Sequence, residues 1–188
     1  MGISFDQWLL YRINQRWASP FWDGLAPLLR QSTVGIPLYL FLITFAIFHF
    51  RRKGWIWCFA LGMTVVVSDL ACGYLLKSLL LREPPCSASF GLPVRQVLEY
   101  CPTGSSFPSA AAGNLTAWAL FSFYTLKKTS RWWALLFLWP LVVAYAQIYL
   151  GLAYPLDVLA GFSLGGSIGY GISLFFRGQY GSLFPKTS

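Results

Sequence analysis

Residues 55–81 read WIWCFALGMTVVVSDLACGYLLKSLLL. Asp69 and Lys77 are the only ionisable groups of ordinary charge in this stretch. As a helix rising 1.5 Å per residue it would be about 40 Å long, more than the ~30 Å hydrocarbon core of a bilayer. So long an apolar run satisfies its backbone in lipid only as a spanning helix, and this decides the fold class. Four further runs repeat the pattern: Val34–Phe50, Phe107–Leu126, Trp132–Gly151 and Pro155–Phe176. The expectation is an all-α, polytopic membrane protein of about five transmembrane helices, one domain over residues 1–188 with its bundle over 34–176.

Composition points the same way. Hydrophobic residues make up 56% of the 188 residues, aromatics 19% and charged residues 11%, more apolar surface than a soluble domain of this size can bury. Residues 1–33 are too charged to span, and Asp6, Arg12 and Arg16 interrupt any cleavable signal. Trp8, Leu9, Leu10, Ile13 and Trp17 fall at helical spacing, which predicts an amphipathic helix lying at the outer interface. No repeat, linker or second domain is visible.

The basic residues cluster between spans. Arg51-Arg52-Lys53, then Lys127, Lys128 and Arg131, then Arg177 and Lys186 follow the first, third and fifth spans without an acidic neighbour. The positive-inside rule places these segments, and the C-terminus, in the cytoplasm. The N-terminal segment and the loop 82–106 then face the periplasm of a bacterial inner membrane. The net charge of +8 is mostly this anchoring charge, and no basic stripe with interleaved aromatics calls for nucleic acid. Cys58 and Cys72 belong to the second span as packing residues. Cys86 and Cys101 share the outer loop, where an oxidising compartment permits a bridge, two free thiols being the alternative.

This topology brings unusual polar residues to one depth. Lys77 ends the second span, Ser109 opens the third, Gln147 and Tyr149 end the fourth, and Asp157 opens the fifth. Singly each has a plain explanation: a snorkelling lysine, a helix cap, a carboxylate on a helix dipole. Together they suit an oxyanion. Helix N-termini present unpaired N–H groups, the first turn Ser109-Ala110-Ala111-Ala112-Gly113 lets an anion approach the backbone, and Lys77 supplies charge. A phosphate on a membrane lipid entering from the bilayer is the expected ligand.

These residues also resemble a family, the integral-membrane type 2 phosphatidic acid phosphatases, whose members carry K-x6-R-P, P-S-G-H and S-R-x5-H-x3-D in that order. Here the first reads Lys77 to Pro84-Pro85, the second Pro108-Ser109-Ala110-Ala111, and the third Ala146-Gln147 through Ala153 to Asp157. The resemblance implies a bacterial lipid phosphatase of the phosphohistidine type, such as a lipid A 1-phosphatase or phosphatidylglycerophosphatase, with undecaprenyl diphosphate a further substrate. It implies that position 153 holds the nucleophilic histidine, Asp157 orients it, position 111 holds the general-acid histidine, and Lys77 with arginines at 84 and 147 holds the phosphate. Ala153, Ala111, Pro84 and Gln147 stand at those positions instead. The single histidine, His49, lies at the cytoplasmic end of the first span. Arg82 is a candidate substitute for the missing arginine at 84.

The expectation is therefore a phosphatase scaffold that keeps its lipid-phosphate pocket and lacks its nucleophile and acid. Whether the replacements belong to a pseudoenzyme or to an altered form of a working enzyme stays open at this point. A non-catalytic lipid-phosphate binder is the alternative of another class. A transporter is a third, prompted by Asp69 in mid-span, whose plainer explanation is a hydrogen-bonded core residue. No cofactor is called for, and no ligand set is spaced for a metal.

Overall fold

The computed structural model describes residues 4–87 and 94–180. Lys186 and part of the 82–106 loop lie outside the described residues. Those described are helical apart from turns and loops, with no strand among them. Ser4 and Gln7 form a capping box that starts α1 (Phe5–Tyr11), which runs on through a π-helical turn to Arg16. Ser19 caps α2 (Pro20–Arg30), where Pro20 occupies a first-turn position that needs no N–H.

Then follow α3 (Ile36–Phe50) and α4 (Arg52–Asp69), joined at Arg51 with φ 52°. A Cβ at Gly54 would strike the Ala46 carbonyl, so this hairpin closes only on a glycine. The α4 rod continues through a π-helical turn, Leu70–Leu75, into a last turn, α5 (Leu76–Leu79). After the outer loop come α6 (Ala110–Leu126), a 3-10 segment leading into α7 (Leu138–Tyr149), and α8 (Pro155–Tyr180).

Four stretches are long and apolar enough to cross a membrane: Thr33–Phe50, Arg52–Leu79, Arg131–Tyr149 and Pro155–Tyr180. The remaining expected span, α6, has 17 residues, or about 26 Å, slightly under the ~30 Å core. It is the inner rod, packed by α4, α7 and α8, with Ala117, Ala119, Phe121 and Leu126 fully buried. Phe48, Phe59, Leu81 and Phe175 by contrast point outward from the bundle, as lipid-facing side chains should.

Small residues set how closely α6 and α8 approach. Gly161, Gly165 and Gly169 recur every fourth residue of α8, and a Cβ at each would run into the Ser109 carbonyl, the Gly113 backbone or the Ala117 backbone. This is the small-xxx-small logic of helix pairs in lipid, where close backbone contact rather than apolar burial drives association. It fixes the start of α8 beside the start of α6, and the Ser109 N–H donates to the Asp157 carbonyl at 2.9 Å.

The N-terminal segment forms two helices where one was expected. It breaks between Trp17 and Ser19 and docks as two helices, because Ser19-Pro20 can begin a helix but not continue one. Leu10, Ile13, Ala26 and Leu29 are buried in one core with Tyr149, Leu150 and Tyr154, while Trp8 and Trp17 stay exposed. A second core, around Leu42, Trp57, Phe121 and Phe176, fills the opposite end.

Candidate functional site

Because α4–α5 and α7 end where α6 and α8 begin, four chain directions deliver their terminal residues to one end of the bundle. A cavity of about 210 Å³ opens there, lined by Lys77, Pro84, Ser109, Ala110, Ala111, Gln147 and Ala153, with Arg30 and the Pro102–Ser106 loop completing it. The sequence-derived set is thus gathered round one space, except for two members. Asp157 and Arg82 do not line it.

The helix start is built by local chemistry. Ser109 is buried, and its Oγ accepts from the Ala112 N–H at 3.4 Å, which caps α6. Ala110 and Ala111 carry the neighbouring first-turn amides on the cavity wall. Lys77 is half-buried on the opposite wall, and no carboxylate pairs with it or with Arg30 among the described residues.

Asp157 is fully buried and is bound to a guanidinium. Arg82 Nη1 donates to Asp157 Oδ1 at 2.5 Å, and Arg82 Nη2 to Asp6 Oδ2 at 2.5 Å. The other oxygens are used too: Asp157 Oδ2 accepts from the Tyr154 N–H at 2.9 Å, and Asp6 Oδ1 from the Leu156 N–H at 2.9 Å. The guanidinium lies 3.8 Å from the centre of the Tyr154 ring. Burial alone would pull Arg82 down, but its hydrogen bond to Asp6 and the charges of Asp157 and Asp6 outweigh that, and its net shift is upward. Burial is also the chief cause that pushes the Tyr154 phenol up to about 12.

Arg82, the candidate substitute for the arginine missing at 84, does not line the cavity, and its Nη1 and Nη2 are engaged by Asp157 and Asp6. Ala153 and Asp157 belong to different elements, since α8 starts at Pro155 and Ala153 lies in the preceding turn. Asp69 is hydrogen-bonded, to Asn114 Nδ2 at 2.7 Å, but it is an exposed residue of the α4 rod and not a core one. His49 is exposed at the far end of α3, stacked on Phe45. Cys72 is buried, and Cys58 only half-buried.

The outer loop is held over the cavity. Cys86 and Cys101 are bridged, and the Cys86 N–H donates to the Gly151 carbonyl at 2.9 Å. A polar network missed by the sequence reading ties this loop to the N-terminal helices. Asn14, 1% exposed, donates to the Tyr149 carbonyl at 2.7 Å and accepts from the Arg95 N–H at 2.7 Å, while the Arg95 guanidinium reaches Asp23 at 2.7 Å. Its Nη2 also donates to the Tyr149 hydroxyl, which in turn donates to Asp23. Arg95 and Tyr149 hold the Asp23 carboxyl below the usual carboxylate range.

Arg30 was missed as well. It ends α2, its Nη1 donates to the Tyr100 hydroxyl, and the Tyr100 ring lies 5.0 Å beneath its guanidinium. The one available signal was a cation in the last turn of a helix leading toward the site. Among the described residues no three His, Cys, Asp or Glu side chains gather as a metal set.

Comparison with known proteins places this arrangement. The sequence pattern of the PAP2 superfamily matches residues 53–180. A lipid A 4'-phosphatase of Bacteroides thetaiotaomicron is 28% identical over 159 residues, covering 81% of this chain and 68% of that protein. An undecaprenyl-diphosphatase of Sulfolobus acidocaldarius is 38% identical over 76 residues, 39% of this chain and 35% of its own. Two crystal structures share the fold. Aquifex aeolicus LpxE superposes with a TM-score of 0.65 at 24% identity, covering 92% of this chain and 96% of the other. A transmembrane PAP2-type phosphatidylglycerolphosphate phosphatase from Bacillus subtilis superposes with a TM-score of 0.66 at 17% identity, covering 97% and 87%.

Proposed function

We propose that this chain, which belongs to the PAP2 superfamily, binds the phosphate of a membrane lipid at the periplasmic end of its bundle and does not hydrolyse it. The observation that carries this reading is the content of the cavity. Lys77, the first turn of α6 and the Gln147 amide can hold an oxyanion, while methyl groups of Ala111 and Ala153 stand where the family has its acid and its nucleophile. Phosphoryl transfer needs an attacking group and, for water, a base to take its proton. The cavity offers two cations, Lys77 and Arg30, and the hydroxyls of Thr103, Ser105, Ser106 and Ser109, and no carboxylate or imidazole stands among its described lining residues to take a proton from one of them or from water. The carboxylate that would orient a nucleophile is instead neutralised by Arg82.

The orientation rests on charge. Arg51, Arg52, Lys53, Lys127, Lys128, Arg131 and Arg177 belong to the other end of the bundle, which puts that end and the C-terminus in the cytoplasm of a bacterial inner membrane and the cavity outside. The ligand class is a lipid phosphomonoester or diphosphate in the bilayer.

The test is binding and turnover together. The purified protein should retain a phosphorylated lipid, release no phosphate from it, and lose about tenfold in affinity in Lys77→Ala, since a charge-assisted contact contributes roughly 1.5–3 kcal/mol and tenfold is ~1.4. Phosphate release above the uncatalysed rate would refute the absence of turnover. Equal retention by both proteins would refute the site.

A further inference from the structure

A second and larger space lies directly beneath the phosphate cavity. It measures about 520 Å³ and runs between α2, α3, α4, α6 and α7 past Ile43, Leu61, Val65, Leu115 and Trp118. That is within the roughly 300–1,000 Å³ of ligand pockets, and its walls are mainly apolar, with Gln31 and Asn114 among the polar exceptions. Three residues line both this cleft and the cavity above it: Arg30, Ala111 and Gln147. Two of the three are positions at which the phosphatase motifs carry a histidine and an arginine.

We infer that the two spaces are one ligand site, joined through the wall formed by Arg30, Ala111 and Gln147, for a phosphate ester whose apolar chain begins close to the phosphorus. The inference rests on the proposed phosphate site and extends it. At position 111 a methyl group faces a junction that an imidazole would obstruct, so the replacement that removes the acid also opens the passage. Gln147 puts a neutral amide, shorter than the family's arginine, in the same wall.

Arg30 is the cation at the joint. It ends α2, where the helix dipole favours positive charge. Its Nη1 is held by the Tyr100 hydroxyl, next to the bridged Cys101, and this orients the fork without neutralising it. A headgroup phosphate in the upper cavity would then lie between Lys77 and Arg30, and Arg30 supplies one of the two charges missing at Pro84 and Gln147. The chain would descend past Ala111 toward Leu115 and Val65. Among the described residues that line the lower cleft, Arg30 at its mouth is the only ionised side chain.

The experiment uses two probes that separate the headgroup from the chain. Protein in phosphatidylcholine nanodiscs is titrated with inorganic phosphate and with dodecyl phosphate, and empty nanodiscs give the partition background. Dodecyl phosphate should bind at least about tenfold tighter than inorganic phosphate, since its chain gains contacts in the apolar cleft that inorganic phosphate cannot make, and tenfold is ~1.4 kcal/mol. Leu115→Trp and Val65→Trp, which fill the cleft at residues that do not line the upper cavity, should each erase that gain and leave inorganic phosphate binding intact; that retained binding is also the control for folding. Arg30→Ala should weaken both probes about tenfold, and Arg30→Lys by less. Equal affinity for the two probes, or a chain-length gain that survives both blocking variants, overturns the inference and leaves the phosphate site standing. Failure of both probes to bind overturns the phosphate site itself.

Discussion

Replacing Arg82 with glutamine is the most demanding test of how this site is held together. The side chain is one-third exposed, but its two partners are not: Asp6 is 4% exposed and Asp157 is 0%. Breaking a buried ion pair from one side typically costs 3–5 kcal/mol, most of it the penalty of an uncompensated charge left behind. Arg82→Gln leaves two such charges and removes a cation stacked on Tyr154, worth another ~0.5–2 kcal/mol. The exposure of Arg82 and the surviving backbone donors from Tyr154 and Leu156 offset part of this, so we expect a loss of about 3 kcal/mol. For a chain of this length that corresponds to a fall in Tm of roughly 6–12 °C. The assay is thermal unfolding in detergent, run beside the neutral triple variant Asp6→Asn/Arg82→Gln/Asp157→Asn. If uncompensated charge is the cause, the triple variant recovers most of the loss. A Tm within about 2 °C of the parent in Arg82→Gln, or a triple variant no better than the single one, would refute the account.

The same clip predicts the outcome of rebuilding the motifs. Pro84→Arg, Ala111→His, Gln147→Arg and Ala153→His together should show no measurable phosphate release until Arg82→Gln is added, because both Asp157 oxygens are otherwise engaged; release from the four-fold variant alone would contradict this. Gly165→Ala should destabilise by about 1–3 kcal/mol, since its methyl meets the Gly113 backbone, which cannot move aside; unchanged unfolding would show that α6 and α8 are less tightly apposed. Reducing the Cys86–Cys101 bridge, which closes a separation of 15 residues, should cost about 3 kcal/mol on the chain-entropy estimate, read as a lower Tm with reductant that is absent in Cys86→Ser/Cys101→Ser. Asp23, whose pKa is lowered in the folded chain by Arg95 and Tyr149, contributes stability that is present above its unfolded value of about 3.9 and lost as pH falls through its folded value. Asp23→Asn should therefore flatten the acid side of a Tm-against-pH curve.

Amino-acid order alone determined the class of fold and named several of the residues that line the cavity. Long apolar runs admit one solution in lipid, and the alternating directions of the rods bring Lys77, Ser109, Gln147 and Ala153 to one end whatever their packing. The motif spacing identified which side chains are missing, because an alanine at 111 or 153 is conspicuous only against a pattern. Other features had no local signature. Asp6 and Asp157 are separated by most of the chain, and only the docking of α1 on the start of α8 brings both within reach of Arg82. The entry of α2 decides that Arg30, and not Arg82, faces the cavity. A cleft joined to a phosphate site exists only as the space between five helices. Such distances follow from how closely glycines let rods approach and how buried charges find partners, which are properties of packed pairs and not of any single segment.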